Sequence, residues 1–583
     1  MGSFKTLKDF FIKHKWYYII GIVWLLIVDI VQLIVPQILK TVTDLLEQEL
    51  LTTSELLKYA GYIILTGLVI GLGRYFWRIY IQGTSRKLEY YIRNKLFQHL
   101  QTLSTNYFNR HKTGDLMAHG TEDINRIRTA LGPGIVMITD AIFMTVAVLF
   151  MMIKTTNFKL AILALIPLPF LAITVGKFGK IIFKRSKLVQ ESFSDLSDKV
   201  QENFSGIRVV KSFVQEKQEI EKFTESNQRN FSANMHLIKI HGLFDPMVNF
   251  ISALSYLIVI WYGGTLVIRG TISLGDFVAF TSYLGLLVWP MMALGFVINI
   301  LQRGAASMDR INTILGENPE IYDHENIIDK TNIQGEIEFN NVSFKYPSSN
   351  EYALKDVSFK IPKGSTLGIV GRTGSGKTTI VNLLLRLFEI DEGEILVDDI
   401  QSSKIPLKTL REHIGYVSQD NFLFSNSIKS NIAFAFETEV EDSRVHEAAK
   451  ISEVYDNIME FPEQFETELG ERGVTLSGGQ RQRTAMARAI IKNPNILILD
   501  DSLSAVDTQT EERILSNLKN VMEDRTNIII AHRISTVKNS DEIIVLDEGK
   551  IIERGTHEEL LKVNGLYRDI YEKQLLEEKL KNE

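Results

Sequence analysis

Apolar residues are spread unevenly along this chain. In about the first 300 positions they gather into six long runs, near residues 16–39, 57–81, 133–153, 158–183, 246–268 and 274–301. A helix of about 20 apolar residues crosses a bilayer, so each run predicts a membrane span. The first is too long for a signal-peptide core and lacks a small-residue cleavage site, so it stays in the protein. Beyond the sixth run the pattern changes to short apolar stretches alternating with helix-periodic ones, a polar α/β pattern.

The connections between the runs are of two kinds. Segments 40–56, 154–157 and 269–273 are short or weakly charged, whereas 82–132 and 184–245 are long and basic. The long ones carry Arg86, Lys87, Arg93, Lys95, Arg110, Lys112, Arg126 and Arg128, then Lys184, Arg185 and Lys187. The bias of Lys and Arg toward the cytoplasm places these segments and both termini there. Leu88, Ile92, Leu96 and Leu100 in the first, and Phe193, Leu196, Val200 and Phe204 in the second, keep helical spacing. They predict membrane helices that continue well past the lipid. At the N-terminus Phe4, Leu7, Phe10 and Phe11 share a face among lysines, which predicts a helix lying on the membrane surface. Asp29, Arg74, Arg78 and Asp140 are among the sparse ionisable residues within the runs, with Asp245 at the edge of one and Gln32, Asn249 and Asn299 as polar companions. Such groups face the bundle interior or water, either paired between spans or touching a transported molecule. Trp289-Pro290 is a candidate kink in the last run.

Asn318-Pro319 ends the last helix, and a polar linker runs to Thr331. Short strands are expected at 336–339 and 342–345. Candidate chemistry is concentrated downstream. The apolar stretch 366–370 leads into Gly371-Arg372-Thr373-Gly374-Ser375-Gly376-Lys377-Thr378, and a helix-periodic stretch at 380–387 follows. This is strand, glycine-rich turn and helix carrying G-x-x-x-x-G-K-[ST], a P-loop for a nucleoside triphosphate. Glycines let backbone N–H groups close around phosphate, and the helix N-terminus adds positive charge. Lys377 reaches the β- and γ-phosphates, and the Thr378 hydroxyl ligates Mg²⁺. Farther on, Leu476-Ser477-Gly478-Gly479-Gln480 opens a helix, either as a plain N-cap or as an anion-presenting end. The buried-strand pattern Ile496-Leu497-Ile498-Leu499-Asp500 then ends in a carboxylate suited to Mg²⁺, a Walker-B arrangement.

Composition adds limits. The 583 residues suffice for more than one domain, and 45% are hydrophobic. A net charge of −6 gives no reason to expect nucleic acid as a partner. Zero cysteines exclude disulfides, thiolate metal sites and a cysteine nucleophile.

With these motifs in this order, the chain resembles the ABC transporters, specifically the exporter half-transporters of the bacterial multidrug type, over its whole length. The resemblance implies an all-α transmembrane domain of six helices with long cytoplasmic extensions, the type IV exporter fold, at 1–318. A linker at 319–331 and an α/β P-loop nucleotide-binding domain at 332–583 would follow. It implies that Tyr346 stacks on adenine and that the P-loop extends through Thr379. Gln419 would contact Mg²⁺ and the attacking water, with Thr378 and Asp500 as further Mg²⁺ ligands. Segment 467–473 matches the exporter loop that touches the membrane domain, Ser504-Ala505-Val506-Asp507 the D-loop, and His532 the switch histidine at the γ-phosphate. In the family two nucleotide domains meet head to tail, so Ser477, Gly478, Gly479 and Gln480 would contact ATP in the partner's site. One P-loop per chain implies a dimer of chains. Coupling helices would fall near 106–118 and 206–215.

One departure from the family pattern changes the picture. Competent sites carry glutamate directly after the Walker-B aspartate, to polarise the attacking water; here the residue is Asp501. Its carboxylate is one methylene shorter, and a 1 Å misplacement can lower a rate on the order of 100-fold. The chain thus resembles the weak-site subunit of a heterodimeric exporter. The implied function is ATP-driven efflux of hydrophobic or amphipathic compounds across the plasma membrane. A dedicated lipid or peptide exporter, a homodimeric exporter and a non-transporting ATP-gated channel or regulator are the alternatives.

Overall fold

The computed structural model describes residues 2–582 except 157, 325, 329–331, 348, 471–472, 474 and 505. The chain forms two compact units, Met1–Gln101 with Lys112–Glu317 and Thr102–His111 with Asn318–Glu583.

Among the described residues the first unit holds six helices long and apolar enough to cross a membrane: Gly2–Glu47, Thr53–Thr102, Thr113–Thr155, Phe158–Ser205, Glu216–Ile268 and Leu274–Leu315. Several exceed what a bilayer needs. The continuous helices Pro167–Ser205 and Glu216–Ile258 have 39 and 43 residues. At 1.5 Å per residue that is roughly 60 Å, about twice the hydrocarbon thickness. The expected extensions beyond the lipid are therefore present as helix.

Small residues let these helices approach. A Cβ on Gly73 would lie 2.5 Å from Val28, and one on Gly21 the same distance from Ile81, so the first and second spans touch along glycine. Met144, Val148, Met152, Leu168, Leu171, Phe280 and Leu287 form much of the interior cluster. The one buried tyrosine there, Tyr283, is satisfied: its hydroxyl donates to Leu33 O at 3.0 Å and accepts from Gln37 at 2.8 Å. Capping boxes at Thr52 and Ser273 start the second and sixth spans. The second span presents Leu57, Ile64, Leu68 and Leu72 outward, an apolar surface matched to lipid. The sixth helix runs unbroken through Pro290.

The N-terminal expectation is corrected. Residues Gly2–Leu7 form a tight 3₁₀ turn that continues directly into the helix Lys8–Gln32. Leu7 and Phe10 are buried in protein, Phe10 beside Tyr91, and Asn312 donates to Ser3 O at 2.7 Å. Leu7 and Phe10 thus find protein partners within the unit, while Phe4 and Phe11 stay partly exposed.

The second unit contains two sheets. β1 (Ile337–Phe344), β2 (Leu354–Ile361), β4 (Glu392–Val397) and β5 (Ile400–Gln401) form an antiparallel sheet in the order β2-β1-β4-β5. The other has the order β10-β9-β3-β8-β7-β6, from β3 (Thr366–Gly371), β6 (Ile414–Val417), β7 (Ile496–Asp500), β8 (Thr526–Ile530), β9 (Glu542–Asp547) and β10 (Lys550–Gly555). All its pairings are parallel except that of the edge strand β10. Burial on both faces explains why β7 and β8 read as unbroken apolar runs.

The two short strands expected at 336–339 and 342–345 are one strand. Its pairing shifts register between Phe339 and Val342, where Asn341 takes φ +51°, and this bulge interrupts the alternation. The stretch Thr102–His111 belongs to this unit. Ser104 Oγ donates to Glu320 at 2.7 Å and Asn106 Nδ2 at 2.9 Å, on either side of the short helix start at Thr105. Segment 467–473 and the D-loop are described only in part, since Glu471, Arg472 and Ala505 lie outside the described residues.

Candidate nucleotide-binding site

The C-terminal ends of β3, β7 and β8 meet at one cleft, where ligands collect in open parallel sheets. β3 delivers the glycine turn. A Cβ on Gly371 would collide with Leu546 O, and Gly376, at φ +101°, sits against Ala353 O, so both positions require glycine. The helix Lys377–Leu384 begins earlier than its apolar period indicates, because Gly376 caps it and Lys377 and Thr378 fill its first turn.

Lys377 is buried. Its Nζ donates to Gly371 O at 2.9 Å and Arg372 O at 2.8 Å, carbonyls of the same loop. Burial pulls its pKa down, and the charges of Asp500 and Asp501 oppose that pull. Asp500 ends β7 and is 1% exposed. Burial pushes its pKa up, and the neighbouring Asp501 charge adds to this; hydroxyls of Thr378 and Tyr416 and the Lys377 charge work the other way. Its Oδ2 and the Ser375 hydroxyl are buried with no hydrogen-bond partner. The orphaned Asp500 oxygen, with the Thr378 hydroxyl beside that carboxyl group, offers hard-oxygen donors of the kind Mg²⁺ takes.

These groups share a cavity of about 380 Å³. Its walls include Tyr346, residues 373–379, Gln419, Asp500, Asp501 and His532. Gly371 and Arg372 lie at the base of the loop, where their carbonyls hold Lys377. The Tyr346 hydroxyl lies 3.1 Å from Thr379 Oγ1, and its ring packs edge-on to Phe344 and Phe388. Asp501 turns sharply off the strand at φ +48°, and its backbone is held at both ends. Its N–H donates to Ile530 O at 2.9 Å, and its carbonyl accepts from Gln482 Nε2 at 2.9 Å. His532 follows β8, and its carbonyl accepts from Gln574 at 2.7 Å.

Ser477, Gly478, Gly479 and Gln480 are not among the walls of this cavity. Ser477 and Gln480 form a reciprocal capping box on the helix Gly478–Ile490. A larger cavity, about 680 Å³, lies between Arg444 and Arg525 and contains none of the motif residues. Chemistry, not volume, identifies the site.

Sequence reasoning missed several neighbours. Ser349, Glu351, Tyr352 and Ala353 also line the cavity, from the loop after Tyr346. Tyr416 presents its hydroxyl to Asp500 from the adjacent strand β6. Gln482 is 1% exposed on a helix that also buries Thr484, and its sequence neighbours Arg481 and Arg483 carry no signal of that burial.

Comparison with known proteins agrees with the geometry. Residues 18–291 match the family described as ABC transporter transmembrane region, and residues 354–504 the one described as ABC transporter. The chain is 40% identical to the "Probable multidrug resistance ABC transporter ATP-binding/permease protein YheI" of Bacillus subtilis, over 98% of each chain. It is 37% identical to the "Multidrug resistance-like ATP-binding protein MdlA" of Escherichia coli, over 99% of this chain and 97% of that one. A solved structure of a bacterial Atm1-family ABC exporter with ATP bound superposes with a TM-score of 0.77, at 27% identity, covering 97% and 98% of the two chains. A six-span membrane unit and an ATP-binding α/β unit in one chain, matched along its length by such relatives, make this protein a member of the ABC transporter family, an exporter-type half-transporter whose ATP hydrolysis is coupled to transport.

Proposed function

We propose that this chain is the weak-site subunit of a heterodimeric multidrug exporter that expels hydrophobic or amphipathic compounds across the plasma membrane. One observation carries the reading. An aspartate, Asp501, follows the buried Asp500, and its backbone is pinned by Ile530 and Gln482. A shift of the main chain therefore cannot offset the missing methylene, and the carboxylate stops short of an attacking water.

The remaining roles follow from the cavity. Backbone N–H groups of residues 373–378 and the start of the helix Lys377–Leu384 receive the ATP phosphates. Lys377 exchanges its two carbonyl partners for phosphate oxygen. Thr378, Gln419 and Asp500 hold Mg²⁺, which when bound neutralises phosphate charge. Tyr346 stacks on adenine, and His532, steadied by Gln574, faces the γ-phosphate. Ser477, Gly478, Gly479 and Gln480, outside their own chain's cavity, complete the competent site of the partner.

ATP favours the closed pair of nucleotide units. The helices Thr105–Arg110 and Ile207–Ser212, at the two breaks in the long helical extensions, pass that closure to the spans. The nucleotide unit and both termini lie in the cytoplasm. The experiment compares ATPase and transport of the purified complex carrying Asp501→Asn with one carrying the amide replacement of the partner's glutamate. The first change has a modest effect and the second nearly abolishes both activities. Equal, severe losses would make Asp501 a working base and overturn the asymmetric reading.

A further inference from the structure

The cavity of about 680 Å³ in the second unit has walls that nucleotide chemistry leaves unused. Arg444, Glu447 and Lys450 enter it from the helix Asp442–Ile451, and Arg525 from the position just before β8. Three cations against one carboxylate leave two positive charges on the walls. No carboxylate among the described residues pairs with any of the three. Aromatic rings steady two of them instead. The Arg444 guanidinium lies 5.0 Å from the Phe436 ring centre, and Lys450 Nζ 4.9 Å from that of Tyr455.

The two guanidinium groups are gathered at one turn. Arg444 Nη2 donates to Ile491 O at 3.1 Å, and Arg525 Nη2 to Asn493 Oδ1 at 2.7 Å. Two residues of extended chain span no more than about 7 Å, so both groups hang from neighbouring points. Asn493 takes φ +52°, and its N–H donates to Ile490 O at 2.9 Å, which fixes the turn. Arg525 Nη1 is buried and finds no acceptor among the described residues, a costly state for a guanidinium donor. Burial pulls the Arg525 pKa down, and no acid opposes that pull.

Forked donors with surplus positive charge match a phosphate monoester, which carries about −1.5 to −2 charge at pH 7. A phosphodiester, with a single charge, would leave the walls positive. Bare phosphate would fill little of the volume, and Ile451 and Val521 supply an apolar floor for an organic body. That floor is the seam of two hydrophobic clusters, one holding Ile490 and Val521, the other Ala448 and Ile491. We propose that this cavity binds a small, soluble phosphate monoester with an apolar or aromatic body, its phosphate held by Arg444 and Arg525. Ile490 ends the helix that Ser477 caps, so the occupant touches the far end of the helix that presents Ser477 to Gln480.

The test is calorimetry on the full-length protein in phosphatidylcholine nanodiscs. Phenyl phosphate is the probe, phenyl sulfate its singly charged isostere, and inorganic phosphate the control without a body. Wild type binds phenyl phosphate more tightly than either control. Arg525→Ala weakens that binding about tenfold or more, as expected for losing a hydrogen bond to a charged group. Asn520→Asp, at an exposed position of the helix Thr508–Met522, adds a negative charge to the wall and weakens binding too. Lys377→Ala leaves it unchanged, because the P-loop is a separate site. No saturable binding at millimolar probe, equal affinity for either control, or binding lost in Lys377→Ala overturns the proposal. Should Arg525→Ala fail to fold, Asn520→Asp decides: undiminished binding by that variant overturns the site.

Discussion

The two units each bury an aspartate, Asp29 in one and Asp500 in the other, and they surround it differently. Asp500 and Asp501 are adjacent in sequence and the Asp501 charge acts on Asp500, while hydroxyls of Thr378 and Tyr416 with the Lys377 charge oppose it. Asp29 lies within a helical span, 1% exposed, and its Oδ2 has no hydrogen-bond partner among the described residues. At the nucleotide cleft those hydroxyls and the lysine oppose the burial that pushes the Asp500 pKa up. Inside a helical bundle few donors exist, because the backbone is bonded to itself.

The largest expected effect would come from removing the cation that acts on Asp500. Lys377→Ala should weaken ATP binding at this chain's own site by about 1.5–3 kcal/mol, the worth of a hydrogen bond to a charged group, while turnover at the partner's competent site falls far less. Labelling by an azido-ATP analogue should fall with it, and undiminished labelling would detach Lys377 from the phosphates. Next, Asp501→Glu in the chain purified alone restores the missing methylene. Turnover should rise on the order of 100-fold; an unchanged rate would mean that reach does not limit this site.

A smaller effect concerns the stretch Thr102–His111. Glu320→Ala strips the acceptor from Ser104 and Asn106, both buried, at about 1–3 kcal/mol for an unsatisfied group. Thermal unfolding of the full chain should begin earlier, and transport per ATP should fall more than ATPase itself. A matching drop in both would confine Glu320 to stability.

The finest test is the pH dependence of stability at Asp500. Its folded pKa lies above 3.8, chiefly through burial, so the folded chain keeps this proton after the unfolded chain has lost it. Its contribution is therefore most favourable below 3.8 and declines as pH rises toward the folded value. Without nucleotide, Asp500→Asn should flatten that decline in thermal melts, and Lys377→Ala should steepen it by removing an opposing charge. A wild-type melting profile identical to that of Asp500→Asn would show that burial is not straining this carboxylate.

Much of the nucleotide site was legible because its chemistry lies in short, contiguous strings. The glycines of residues 371–376 are dictated by backbone collisions, and a strand buried on both faces must read as an unbroken apolar run ending at Asp500. The six spans were legible for a similar reason, since lipid demands an uninterrupted apolar length. Tertiary structure decided what adjacency in sequence cannot express. It put Tyr416 beside Asp500 through the pairing of β6 with β7, and pinned Asp501 through Gln482 of a separate helix. It gathered residues Thr102–His111 into the nucleotide unit through Glu320, and buried Leu7 and Phe10 of the N-terminal apolar face in protein. Asp29 was visible as an isolated charge in an apolar run, but its burial depends on the rotation of its helix about the helix axis. Hydrophobic length leaves that rotation open, and side-chain packing fixes it.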